Sequence, residues 1–440
     1  MPFAAALSTL PDTAQAITEV CDFALGQLGG VAPELAIVFF SPHHVGEETD
    51  LAALFAQRLG DACIIGCMGE SIVGTGREIE NAPAISLWLG NWGGKLRIDG
   101  FHLQLMRTPD GPSFLGWPDA LFDVEPDSAA LLVLGDPFSF PIGEQFLPRV
   151  NDDYPGMPLL GGMASGSSGP GENVLLFANE LRSEGAVGVL LRGPRCWRQI
   201  VSQGCRPIGS PLIVTRSEEN IVFELNGTTP LTLLQRLYPT LDANDQALLE
   251  RGLHLGIAVK PMESTARATP NPEADVESEA APFPQSESAS ESEADVTSPA
   301  AESPDLPDEG DSTSAKPLPY VIRNVYGFDR SSGAMVVTDR VEVGQVVQFH
   351  LRDQASASAD LQTLLQADRA SHPQAAAALL FTCNGRGSRM FTQTSHDAGK
   401  IAQAYGNIPL AGLFAAGELG PIGSTNFIHG FTASVLVFDA

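Results

Sequence analysis

The sequence has 440 residues, 43% of them hydrophobic, a formal net charge of −28 and a pI near 4.5. That length calls for more than one core. That charge excludes duplex nucleic acid and anionic membranes as partners, since both are gripped by basic surfaces. No basic segment leads into an apolar core and a small-residue cleavage site, and no apolar run approaches the roughly 20 residues of a membrane span. Six dispersed cysteines (Cys21, Cys63, Cys67, Cys196, Cys205 and Cys383) form no Cys-x-x-Cys pair, which removes support for zinc-ribbon and thioredoxin readings. A reduced, cytoplasmic setting is the expectation.

In chain order, the first strand signal is LAIVFFSP, Leu35 to Pro42. A helical stretch follows, in which Leu51, Leu54, Phe55 and Leu59 recur at i, i+3, i+4 and i+8. It leads to ACIIGCMGESIVG (Ala62 to Gly74) and then APAISLWLG (Ala82 to Gly90). The same sequence of signals returns twice. AALLVLGD (from Ala129) precedes the glycine-rich MPLLGGMASGSSGPG (Met157 to Gly171) and the strand GAVGVLL (from Gly185). AALLFTCNGRG (from Ala377) precedes IPLAGLFAAGELGPIG (Ile408 to Gly423) and GFTASVLVF (from Gly430). Between the second and third copies, LTLLQRLYPTLDANDQALLERGLH (Leu231 to His254) predicts a helix, a break at Pro239 and a second helix capped by Asp242. The fold class expected is α/β, with mixed sheets built from about three strand–helix–strand–Gly-turn–strand repeats.

From Met262 to Pro319 the composition changes to Pro, Ser, Ala and acidic residues. This stretch carries 14 acidic side chains against Arg267 and Lys316, with Phe283 its one aromatic. It cannot bury enough apolar surface to offset its ordering entropy, so it is predicted disordered. Strand signals flank it, LHLGIAVK before and YVIRNVYGF after, so it is predicted to be an insertion within one domain.

Two stretches carry candidate chemistry. FTCNGRGSRMF delivers Cys383, Asn384 and Arg386 into a Gly-x-Gly turn, where a guanidinium can meet a carboxylate or phosphate. GELG places Glu418 beside Gly417 at the end of an apolar run, as a turn residue or a ligand contact. Arg323 and Arg352 lie at strand ends and are candidates for the same anionic subsite or for structural ion pairs. A Cys/His enzyme is an alternative, with Cys383 as nucleophile, His429 as base and Glu418 or Asn426 as orienter. No P-loop or dinucleotide fingerprint occurs, and His43, His44 and His102 offer no metal-ligand spacing.

Taken together, HLGIAVK, YVIRNVYGFD, GQVVQFHLRD, ALLFTCNGRG, IPLAGLFAAGELGPI and FIHGFTASVLVF resemble the C-terminal half of FIST-domain proteins. LAIVFFSP, IIGCMGES and PLLGGMASG resemble the N-terminal half. The resemblance covers most of the chain from about Glu34 to Ala440, apart from the acidic insert. It implies a FIST N-like domain at 33–216 and a FIST C-like domain at 217–440, the latter interrupted by the disordered loop at 262–319. In the family's C-terminal pattern, the Cys, Arg and Gly match Cys383, Arg386 and Gly387; the Gly-Glu turn matches Gly417 and Glu418; the closing Asn, His and Thr match Asn426, His429 and Thr432. The N-terminal Gly-Cys-x-x-Gly-Glu is met by Gly66, Cys67, Gly69 and Glu70, with one residue fewer between Cys and Gly.

What the resemblance implies is an intracellular sensory module in signal transduction, binding a small ligand such as an amino acid or small carboxylate. Its expected ligand-binding residues are Arg386, Glu418, Cys383, Asn384, Gly417, Asn426, His429, Arg323 and Arg352. No catalysis and no cofactor are expected. The chain shows no kinase, methyl-accepting or F-box region, so its signal is expected to leave through a separate partner protein. A protein–protein interaction scaffold is the other alternative.

Overall fold

The computed structural model describes residues 2–46, 50–109, 111–259 and 319–439. The predicted disordered loop at 262–319 lies, but for Pro319, outside them.

Three mixed sheets follow one strand order. The first runs Phe3–Ser8, Ile85–Gly90, Leu35–Phe40, Cys63–Met68, Leu175–Phe177, Glu180–Arg182. The second runs Gly111–Leu115, Arg97–Thr108, Ala186–Arg192, Ala129–Gly135, Leu159–Met163, Glu418–Ile422, Thr425–His429. The third runs Trp197–Ser202, Ala433–Asp439, Ala375–Cys383, Leu410–Ala415, Ile72–Gly74, Arg77–Ile79. Each contains one parallel pair, Leu35–Phe40 with Cys63–Met68, Ala129–Gly135 with Leu159–Met163, and Ala375–Cys383 with Leu410–Ala415. These are the near-continuous apolar runs of the sequence, as strands covered on both faces require.

Each parallel pair is followed by a hairpin that joins a different sheet. The hairpin after Met68 pairs with Leu410–Ala415, the one after Met163 with Cys63–Met68, and the one after Ala415 with Leu159–Met163. The three sheets therefore exchange hairpins in a ring. Residues assigned to the N-like and C-like halves share sheets, and a boundary at 216/217 falls inside the strand Cys205–Glu218.

The parallel pairs share a packing constraint. Gly66 registers with Val38, Gly161 with Val133 and Gly412 with Leu380. A Cβ on Gly66, Gly161 or Gly412 would stand 2.2, 1.8 or 1.8 Å from that partner's carbonyl oxygen. Only glycine fits such an approach. One apolar core then joins the sheets, with Phe3, Trp88 and Phe438 in mutual ring contact and Phe39 edge-on to Phe381.

Residues 3–28, which lie ahead of the predicted first domain, add an edge strand and the helix Thr13–Leu28. Asp12 caps that helix by accepting from the Gln15 amide, and Ala16, Ile17, Val20, Ala24 and Leu28 form its buried face. The helices predicted around Pro239 run Pro230–Leu237 and Ala243–Arg251, the second capped by Asp242.

Six further strands close into a barrel in the order Cys205–Glu218, Ile221–Leu225, Met335–Val337, Tyr320–Phe328, Leu253–Ala258, Val346–Arg352. Its interior is filled by residues including Val214, Val222, Leu255, Met335, Val347 and Phe349. Ala258 registers with Tyr320, so residues 259–319 connect neighbouring barrel strands.

Candidate functional site

Ligands of α/β sheets bind beyond the carboxyl ends of the parallel strands. In the third sheet that end delivers Cys383 and the Gly-Arg-Gly turn. The Asn384 amide donates to the Ala415 carbonyl and the Arg386 amide to that of Cys383, so the chain folds back at once. Gly387 takes φ +56°, and a Cβ on Gly385 would stand 2.6 Å from the Phe431 ring.

The turn sends Arg386 inward. Its Nε and Nη2 donate to Asp397 Oδ2 and Oδ1 at 2.7 and 2.8 Å, and its Nη1 donates to the Phe431 carbonyl at 3.1 Å. Both charged groups are buried. Burial alone would raise the Asp397 carboxyl, but the guanidinium, His396 and Thr382 hold it well below the ordinary carboxylate range. Asp397 also lies 2.8 Å from His396 Nδ1, and His396 Nε2 lies 2.9 Å from Ser358 Oγ. Phe391 stacks on the imidazole.

Glu418 is fully buried. Its Oε2 accepts from the Thr432 amide at 3.2 Å, while Oε1 has no partner. Burial pushes its carboxyl well up, against the backbone hydrogen bond and the Cys383 thiol, which pull it down. Arg386 and Glu418 thus grip the two sides of one peptide unit, the Phe431 carbonyl and the Thr432 amide. Just ahead of it Phe431 holds φ +59°, a costly conformation for a non-glycine residue that its surroundings must enforce.

Phe431 borders two cavities. The larger, about 840 Å³, lies between the barrel and the helices Gln354–Ser371 and His396–Tyr405. Arg352, His254, Asn324, Phe391, His396 and Phe431 line it. The Arg352 guanidinium sits 5.0 Å above the Phe431 ring and has no ion-pair partner among the described residues. His254 meets Phe431 edge-on; burial, then Arg352 and His350, lower its pKa to about 4, and its Nδ1 has no partner. The smaller cavity, about 350 Å³, is lined by Arg323, Asp339, Gly417 and His429. There Arg323 is already engaged, its Nε donating to Asp339 and its Nη1 to the Ile322 and Ile428 carbonyls.

The remaining predicted residues fall around these cavities. Asn426 Oδ1 accepts from the Leu159 amide and its Nδ2 donates to Met157 and Asn151, so it fastens the exchanged hairpin to the second sheet. His429 Nε2 meets the Gly420 carbonyl, and burial lowers its pKa to about 4. Cys383 is half-buried at the residue level; desolvation of its thiol, with Glu418 beside it, pushes that thiol up, and Asn384 Oδ1 is buried without a partner. Glu70 bonds Arg389. Of the nine predicted residues, Arg352 lines the larger cavity; Arg323, Gly417 and His429 line the smaller. Arg386, Glu418 and Cys383 lie beneath, holding the wall between them. His254, Phe391, His396 and Phe431 escaped the sequence reading. Phe431, directly after Gly430 in FIHGFTASV, was the available signal.

Glu78 couples the first half to this region. Reaching from the exchanged hairpin, its Oε1 accepts from the Ala398 amide at 2.8 Å. Burial, then the Asp397 charge, raises its pKa from 4.5 to about 8. Its folded value lies above its unfolded one, so the stability it contributes is complete below pH 4.5 and is lost as pH rises to about 8. Glu78→Gln is expected to remove that decline, worth up to about 5 kcal/mol, so its advantage over wild type should grow between pH 5 and pH 8.5 in chemical denaturation. A stability difference constant across that range would contradict the assignment.

Among the described residues no group of three His, Cys, Asp or Glu side chains is placed to hold a metal ion, and no helix is long and apolar enough to cross a membrane. Residues 34–228 match the FIST N domain and residues 308–421 the FIST C domain. An uncharacterised protein of Mycobacterium tuberculosis strain H37Rv is 36% identical over 433 residues, 98% of each chain. An uncharacterised protein of Mycobacterium bovis is 36% identical over 431 residues, 98% of this chain and 97% of its own.

Proposed function

The chain belongs to the FIST family, and on that footing we propose that it is a sensory protein whose signal is a small anion, an amino acid or small carboxylate, held in the Arg352 cavity. FIST domains are associated with sensory roles in signal transduction. The observation that carries the reading is an arginine in a large cavity with no counter-ion among the described residues. Such a guanidinium offers a fork of donors matched to a carboxylate, in surroundings that strengthen the pairing. Neutral His254 with its open Nδ1, Asn324 and the Phe391 and Phe431 rings supply the polar and apolar contacts that orient a small ligand. The raised Cys383 thiol supports binding over a cysteine-centred reaction. The bound state is then read by a separate signalling protein.

The test is thermal stability against a panel of amino acids, small carboxylates and phosphates at millimolar concentration. A ligand at 100 times its Kd adds about 2.7 kcal/mol. Arg352→Gln is expected to abolish the shift while leaving the unliganded melting temperature nearly unchanged, since no ion pair among the described residues is broken. A panel that leaves wild type unmoved, or a shift retained in Arg352→Gln, would overturn the reading.

A further inference from the structure

We propose that Ser358, His396 and Asp397 form an acyl-transfer centre opening into the Arg352 cavity, with a small carboxylate-bearing ester as substrate. This rests on the reading of that cavity as an anion site and adds a reaction to it.

The geometry is a continuous chain. Ser358 Oγ lies 2.9 Å from His396 Nε2, and His396 Nδ1 lies 2.8 Å from Asp397 Oδ1. Helix Gln354–Ser371 supplies the serine and helix His396–Tyr405 the other two. Ser358 is partly exposed and lines the cavity together with His396, so its hydroxyl faces the space a ligand would fill. Asp397 is kept ionised by Arg386 and can only accept. In the neutral imidazole the proton therefore sits on Nδ1, which donates to Asp397, and this leaves the Nε2 lone pair for the Ser358 hydroxyl. Phe391, stacked on the ring with centroids 3.5 Å apart, fixes its plane. A nucleophile, a base and an orienter are in hydrogen-bond reach in the order that acyl transfer needs.

In the reaction Ser358 Oγ bonds to the acyl carbon as its proton passes to His396 Nε2. The ester C–O bond then breaks; its electron pair leaves with the alcohol oxygen, which takes that proton. Water attacks the acyl-serine, giving one proton to Nε2. Ser358 leaves with that proton, so ester and water become acid and alcohol. Arg352 pairs with the substrate's free carboxylate. Asp397 acts as a positioning residue.

The test exposes the full chain to a biotinylated fluorophosphonate and maps adducts by mass spectrometry, alongside hydrolysis of 4-nitrophenyl acetate and 4-nitrophenyl hydrogen succinate. The adduct is expected on Ser358, and Ser358→Ala, a helix-compatible change, is expected to lower hydrolysis at least about a hundredfold. Wild type should prefer the succinate ester, and Arg352→Gln should lose that preference. No adduct on Ser358, or equal hydrolysis by wild type and Ser358→Ala, would overturn the proposal. Carboxylate stabilisation is measured on Ser358→Ala in parallel. If it persists and depends on Arg352 while no adduct forms, the anion site stands and the acyl-transfer centre falls. If both are missing, the cavity reading falls too.

Discussion

Arg386→Ala is expected to lower the stability of the chain by about 3–5 kcal/mol, a large part of the 5–15 kcal/mol that holds a typical domain folded. The pair it breaks is fully buried and bidentate. Removing the cation strands the Asp397 carboxylate without water, with only Thr382 and His396 to satisfy it. The loss reaches further, because Arg386 Nη1 also holds the Phe431 carbonyl in its left-handed conformation. Arg386→Met combined with Asp397→Asn removes the uncompensated charge and keeps one acceptor oxygen at that position, so the double variant should be more stable than the single one. Denaturant midpoints of the three proteins check this. A single variant within about 1 kcal/mol of wild type would show that the pair contributes far less than its burial implies.

Gly412→Ala is the second large effect. The added methyl would stand 1.8 Å from the Leu380 carbonyl oxygen, with backbone rather than a yielding side chain in the way. One of the two central strands of the third sheet must shift, at a cost of about 1–3 kcal/mol or more. Gly161→Ala meets the same 1.8 Å approach to Val133 and adds strain from φ +135°, so it should be at least as damaging. Gly76→Ala, whose nearest neighbour is 3.9 Å away but whose φ is +66°, reports the conformational cost alone. Equal midpoints for Gly412→Ala and wild type would contradict the close approach.

Much of the α/β character was legible because buried parallel strands are written as unbroken apolar runs. LAIVFF, AALLVLG and LAGLFA each became a strand of a parallel pair. The helices at Leu51 and Ala243 announced themselves through period and an aspartate cap. The barrel did not, since partial alternation over short segments is compatible with sheets of either kind, and closure depends on pairings far apart in sequence such as Cys205 with Arg352. The exchange of hairpins was equally hidden: nothing local in GELGPI states that Glu418 will register with Gly162.

Site chemistry was legible by residue type more than by direction. Arg386 and Glu418 were conspicuous because charges fenced by glycines are unusual, yet glycine permits a side chain to turn inward as readily as outward. Both turned inward, where they shape the Phe431 wall. Arg352, marked only by its place at a strand end, faces the cavity. His396 and Ser358 carried no fence at all; 38 residues apart, they meet only once the two helices pack.

Isothermal titration of the best-binding carboxylate into wild type, Arg352→Gln and Glu418→Gln tests most directly that the cavity, and not the turn beneath it, holds the ligand. The expected result is Kd weakened at least about tenfold in Arg352→Gln, ~1.4 kcal/mol, and within about threefold of wild type in Glu418→Gln. Full affinity in Arg352→Gln together with loss of binding in Glu418→Gln would place the ligand on the Gly-Glu turn and contradict the account.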